Sequence, residues 1–207
     1  MTRIIIFGDS VAYGAWDSKG GWVERLKEFL DKRFLLYGDL YFLTYNLGIS
    51  GDTTKDVLER FEFESKMRFK EKEETIIVFS IGGNDCELNN KKNKCKVSIE
   101  ELTENIIKLI KLARKFSNKI VFTGLTPTDE SKMDPIPWNN NFSYKNSLIK
   151  EYDETIQKTC REQKVPFIDL LNWLDKKDLE DGCHPNSKGH EKIFKIVKEF
   201  LIKNKII

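Results

Sequence analysis

The stretch RIIIFGDSVAYG (residues 3–14) decides the fold. Four consecutive apolar residues, Ile4 to Phe7, run straight into Gly8, Asp9 and Ser10. β-Branched residues in series favour a strand. The lack of polar alternation means that both faces of the strand are covered, as in a parallel sheet. Gly-Asp-Ser ends it, because these residues favour turns over a continued ladder. In an open α/β sheet, ligands bind beyond the carboxyl ends of the strands. Ser10 therefore sits on the edge where chemistry is expected.

Four more segments read as strands: YFLTYNL (41–47), TIIVFSI (75–81), KIVFTGL (119–125) and VPFIDL (165–170). Amphipathic stretches lie between them. Trp22, Leu26, Phe29 and Leu30 share one helical face, as do Ile99, Leu102, Ile106, Leu109, Ile110 and Ala113. Ser98 and Glu101 have the spacing of a capping box. Further helices are expected over 54–69, 143–163 and 187–204. Alternation of this kind predicts an α/β fold: a three-layer α/β/α sandwich with a mostly parallel, about five-stranded sheet. A chain of 207 residues suits a single domain over 1–207. Two segments read as loops, the Lys-rich 86–97 and the Pro- and Asn-rich 126–143. Together with Trp16 and Trp138 they are expected to shape a pocket.

The net charge of +2 gives no electrostatic reason to expect nucleic acid as a partner. No apolar run approaches the roughly 20 residues of a membrane span. The N-terminal apolar run is shorter than a signal peptide requires, so the chain reads as cytoplasmic. Cys86, Cys95, Cys160 and Cys183 contain no CxxC pair, which argues against a zinc or redox motif. A Cys86–Cys95 bridge is one alternative; reduced thiols are the expected state in a cytosol. The oligomeric state is not written in the sequence.

The strand ends carry the reactive groups. A serine hydroxyl needs a base, and the chain has only two histidines. His190 falls in line with the apolar face of the last helix and reads as a packed or capping residue. His184 lies in a loop and is the candidate base. Asp181, three residues earlier, is placed to hold one imidazole tautomer, with Gly182 allowing a tight turn and Cys183 pointing elsewhere. Attack on an acyl carbonyl creates an oxyanion that needs donors already in place. The candidates are the N–H of Ser10, the N–H of Gly48 after the second strand, and the side-chain amide of Asn84, aimed by Gly82 and Gly83.

These blocks resemble the SGNH hydrolase superfamily, the GDSL-type esterases or lipases. FGDSVAYGAWDSKGGW matches the first block, with Val11 where the nickname has Leu. NLGISGDTT, IGGNDC and DGCHPN match the others, in order along the whole chain. The resemblance implies a flavodoxin-like α/β/α hydrolase that cleaves carboxylic esters, such as acyl lipids, acetylated sugars or other small esters, through an acyl-serine intermediate. It implies Ser10 as nucleophile, His184 as base then acid, Asp181 as orienting carboxylate, and Ser10, Gly48 and Asn84 as the oxyanion hole. It implies no cofactor and no metal. A metal-dependent phosphoesterase shares Gly-Asp and Gly-Asn stretches but needs more histidines than two. A non-enzymatic carbohydrate- or partner-binding domain of the same fold would normally have lost a catalytic position, and none is lost here. Activity should rise as the base loses its proton, near pH ~6.5 for an unperturbed imidazole.

Overall fold

The computed structural model describes Met1–Ile207. In chain order the elements are β1 (Thr2–Gly8), α1 (Ser10–Tyr13), α2 (Gly21–Tyr37), β2 (Phe42–Gly48), α3 (Thr54–Arg68), β3 (Glu74–Ser80), β4 (Leu88–Asn89), β5 (Lys94–Cys95), α4 (Ile99–Ala113), β6 (Lys119–Thr123), α5 (Glu130–Met133), β7 (Phe142–Ser143), α6 (Asn146–Glu162), β8 (Phe167–Ile168) and α7 (Ser187–Lys203). The main sheet has five strands in the order β2-β1-β3-β6-β8, and every pairing in it is parallel.

Successive side chains of a strand point to opposite faces, and β1 shows why its sequence does not alternate. Ile5 and Phe7 join a core with Ile77, Phe79 and Phe122 of the sheet and Val57, Phe61, Ile106 and Ile156 of α3, α4 and α6. Ile4 and Ile6 join a second core with Ile76, Val78 and Val121 of the sheet and Trp22, Leu26, Ile193 and Val197 of α2 and α7. Each face needs an apolar residue at every second position, so the strand needs one at each. The register aligns Phe7 with Phe79 and Phe79 with Phe122. Their rings stack at centroid distances of 5.9 and 4.7 Å.

The strand ends at Gly8 because the chain turns there against its neighbour. A Cβ on Gly8 would lie 2.5 Å from both Ala12 Cβ and the Ser80 carbonyl oxygen. Asp9 then caps α1, its Oδ1 accepting from the Val11 N–H at 2.9 Å. Ser10 is thus fixed on one side by the sheet and on the other by a capped turn.

The two segments read as loops carry structure of their own. β4, β5 and β7 form a three-stranded antiparallel sheet, order β5-β4-β7, joining 86–97 to 126–143. Its strands are two residues long, too short for any periodicity. The capping box predicted at Ser98 is half made. Ser98 Oγ accepts from the Glu101 N–H, and the reciprocal bond is not formed. No helix is long and apolar enough to cross a membrane.

Candidate active site

Beyond the carboxyl ends of β1 and β3, Ser10, His184 and Asp181 meet. His184 Nε2 is 2.9 Å from Ser10 Oγ, and His184 Nδ1 is 2.6 Å from Asp181 Oδ2. The other carboxylate oxygen, Asp181 Oδ1, accepts from the N–H groups of Cys183 at 3.0 Å and His184 at 2.9 Å. Burial pushes the Asp181 carboxyl up, but the bonds from the imidazole and these two N–H groups outweigh it and hold it well below the usual carboxylate range. The site thus keeps a charged carboxylate against Nδ1, which leaves Nε2 free to accept the Ser10 proton. Gly182, with φ +112, lets the turn close this tightly.

Cys183 does not point away from the site. Its Sγ is 3.3 Å from His184 Nδ1, and the residue lines the same cavity. Burial pushes the thiol up, with Asp181, Asp9 and Glu87 adding to the effect. Asp181, Cys183 and His184 lie close enough together to be weighed as metal ligands, but His184 Nδ1 and Asp181 Oδ2 are already bonded to each other at 2.6 Å. His190 is fully buried in the packing of α7, the packed position expected of it. Burial lowers its pKa to about 4.

Asn84 faces the same cavity. Its Nδ2 donates to the Asp52 carbonyl at 2.9 Å, and its Oδ1 lies 2.9 Å from the Tyr144 hydroxyl. The Asp52 carbonyl can only accept, which fixes which way round the amide sits and leaves its second N–H unused. Glu87 Oε1 is also 2.9 Å from the Tyr144 hydroxyl, and Glu87 Oε2 pairs with Lys96. The small sheet is what joins Tyr144 to the 86–97 segment. Tyr144 carries no sequence signal of its own: it falls at the start of the helix expected over 143–163, and that helix begins only at Asn146.

Gly48 is a correction. Its N–H donates to Asn46 Oδ1 at 3.0 Å, so it is not available to an oxyanion. Its lack of a side chain serves packing, since a Cβ there would lie 2.4 Å from Tyr13 N and 2.8 Å from the Asp9 carbonyl oxygen. The second glycine of NLGISGDT, Gly51, lines the cavity instead, with φ +90. Gly51 N–H has no acceptor within the protein. The loop that carries it is pinned where Thr54 N–H and Oγ1 donate to Asp85, and burial raises that carboxyl to about 6.

The cavity measures about 1180 Å³. Ile81, Leu125, Pro127 and Ile149 contribute apolar lining. At the mouth, Trp16 and Trp138 bracket the imidazole, each with its ring centroid 6.0 Å away, Trp16 edge-on and Trp138 stacked.

A serine, an imidazole and a charged carboxylate aligned at the carboxyl edge of a parallel α/β sheet can pass a proton from the hydroxyl to the ring. Residues 6–192 match the GDSL-like Lipase/Acylhydrolase family, and the chain belongs to that family, whose class is carboxylic ester hydrolase. The chain is 26% identical to a multidomain esterase of Ruminococcus flavefaciens over 93% of its own length and 27% of that protein's. It therefore spans about a quarter of that relative. It is 22% identical to a GDSL esterase/lipase of Oryza sativa subsp. japonica, covering 94% of this chain and 77% of that protein. Among solved structures, the lipase/acylhydrolase of Enterococcus faecalis superposes with a TM-score of 0.74 at 22% identity, over 97% of this chain and 95% of the other.

Proposed function

We propose that this chain, as one hydrolase unit over residues 1–207, cleaves carboxylic esters through an acyl-serine intermediate. The observation that carries the reading is the continuous relay from Ser10 Oγ through His184 to Asp181, at 2.9 and 2.6 Å. His184 Nε2 takes the proton as Ser10 Oγ bonds to the acyl carbon. The carbonyl oxygen becomes an oxyanion held by the N–H groups of Ser10 and Gly51 and by the Asn84 amide. The Ser10 N–H lies in the first turn of α1 and has no intrahelical acceptor. Collapse of the intermediate expels the alcohol, which receives the proton from His184. Water then repeats the sequence, and the carboxylic acid leaves.

The substrate is a small-molecule ester: an acyl lipid, an acetylated sugar or another small ester. The two tryptophans at the mouth, 67% and 59% exposed, favour an alcohol portion with flat apolar faces, as a sugar ring has. Four unpaired cysteines suit a reducing compartment, and we place the protein in the cytoplasm. A series of p-nitrophenyl esters of rising chain length, run beside acetylated sugars and each with and without EDTA, tests the reading. It predicts turnover of at least one ester that the chelator leaves unchanged. No turnover of any ester, or turnover lost with EDTA, would contradict it.

A further inference from the structure

Trp16 lies outside the nucleophile, base, carboxylate and oxyanion positions, yet its indole reaches the relay. Nε1 is 2.8 Å from Asp181 Oδ2 and 3.0 Å from His184 Nδ1. When Nδ1 carries the proton it gives to Asp181, that nitrogen has no lone pair left to accept another. The indole N–H therefore belongs to Asp181 Oδ2. The carboxylate then has four donors: the imidazole and the indole on Oδ2, and the N–H groups of Cys183 and His184 on Oδ1.

Two further features make this contact costly to maintain. Trp16 has φ +64, the left-handed region that a residue with a bulky side chain rarely occupies. Its side chain is also 67% exposed, so burial does little to hold it there. A residue strained in its backbone and barely packed is kept in place by a specific bond or selected for one. The edge-on contact with the imidazole, at 87° between ring planes, is consistent with the N–H edge being the part in use.

We propose that Trp16 is a positioning residue for the relay: its indole N–H fixes the Asp181 carboxylate and shares its charge, which limits how tightly Asp181 holds the imidazolium. This rests on the reading of Ser10 as the acylated nucleophile. The other titratable groups facing the pair are Asp9 at the end of β1, Cys183 beside the ring and His190 on α7. None of them touches the indole N–H through a hydrogen bond, so a change confined to that group is separable from theirs.

The test compares wild type, Trp16→Phe, and a chain with benzothienylalanine at position 16, which keeps the indole shape and replaces N–H with sulfur. Hydrolysis of p-nitrophenyl acetate is followed from pH 5 to 9. Both replacements should lower plateau kcat roughly 3- to 10-fold with KM within about twofold, the size expected for losing one hydrogen bond. Both should also move the acid limb of kcat/KM to higher pH by about half a unit, because the carboxylate, relieved of one donor, holds the imidazolium more tightly. An unmoved limb with only KM raised would overturn the proposal and make Trp16 a substrate contact. A benzothienylalanine chain indistinguishable from wild type would overturn it too, since the ring and not its N–H would then matter. Fluorophosphonate labelling of wild type separates the layers. Failure to label Ser10 would overturn the nucleophile reading and this inference with it, whereas a labelled wild type with an unmoved limb overturns this inference alone.

Discussion

Ser10 and His184 are 174 residues apart in the chain, and Ser10 Oγ lies 2.9 Å from His184 Nε2. Two independent pieces of the fold must be placed accurately for this. The end of β1 sets the serine, and the turn before α7 sets the imidazole together with its carboxylate. The relay should therefore behave as one unit. Ser10→Ala and His184→Ala should each lower kcat by roughly 10⁴ to 10⁶, and the double variant by no more than the worse single one. Asp181→Asn should cost about 10⁴. Steady-state kinetics on an activated acetate ester checks all four chains.

The amide of Asn84 has its direction set by its neighbours. Removing it with Asn84→Ala should cost on the order of 10² to 10³ in kcat. Tyr144→Phe leaves the amide present and deletes only the hydroxyl beside Oδ1. It should cost about 3- to 10-fold, the effect of one neutral hydrogen bond. The same assay, with KM compared, separates loss of oxyanion stabilisation from loss of binding.

The turn that bears Trp16 is tied to α7 by Arg25. This buried guanidinium pairs with buried Asp17 and donates to the Ser187 carbonyl and hydroxyl and to Glu191. Deleting one partner strands the other charge in a buried site. Arg25→Ala should destabilise the protein by about 3–5 kcal/mol. Urea unfolding followed by circular dichroism measures it.

His190 makes stability depend on pH. Its pKa falls from 6.5 in the unfolded chain to about 4 in the fold, because burial favours the neutral ring over the charged one. Below pH 6.5 the unfolded chain binds a proton that the folded chain refuses. Stability from this residue is therefore full above 6.5 and lost as pH falls toward 4, by on the order of 3 kcal/mol. Thermal melts of wild type and His190→Phe should diverge in slope between pH 6.5 and 4, with the variant flatter.

Much of this was legible in the sequence, for reasons that can be named. β1, β3 and β6 announce themselves because burial on both faces writes a nearly uninterrupted apolar run, whereas the edge strand β2, FLTYNLG, shows through its β-branched and aromatic residues. His184 stood out because the only other histidine fell in line with a helix's apolar stripe. Asp181 stood out by its spacing to His184. Gly48 and Gly51 were not distinguishable. Both sit in one short motif, Gly48 as the last residue of β2 and Gly51 three residues on, and only the approach of α1 to Gly48 and the hydrogen bond from its N–H to Asn46 separate packing from availability. The sheet of β4, β5 and β7 left no trace because two-residue strands have no period. Trp16 and Tyr144 act through contacts with residues far along the chain, and nothing local to either encodes that. The side of the turn on which Cys183 falls is not written in its spacing, because it depends on how tightly the 181–184 turn closes.

The most direct test of the central claim is a mass measurement. The protein is treated with a fluorophosphonate, digested, and the modified peptide sequenced by tandem mass spectrometry. Ser10 as the nucleophile predicts one phosphonyl group, carried by Ser10, and none after His184→Ala on the same timescale. A phosphonyl group on any other residue, or equal labelling of Ser10→Ala, would contradict it.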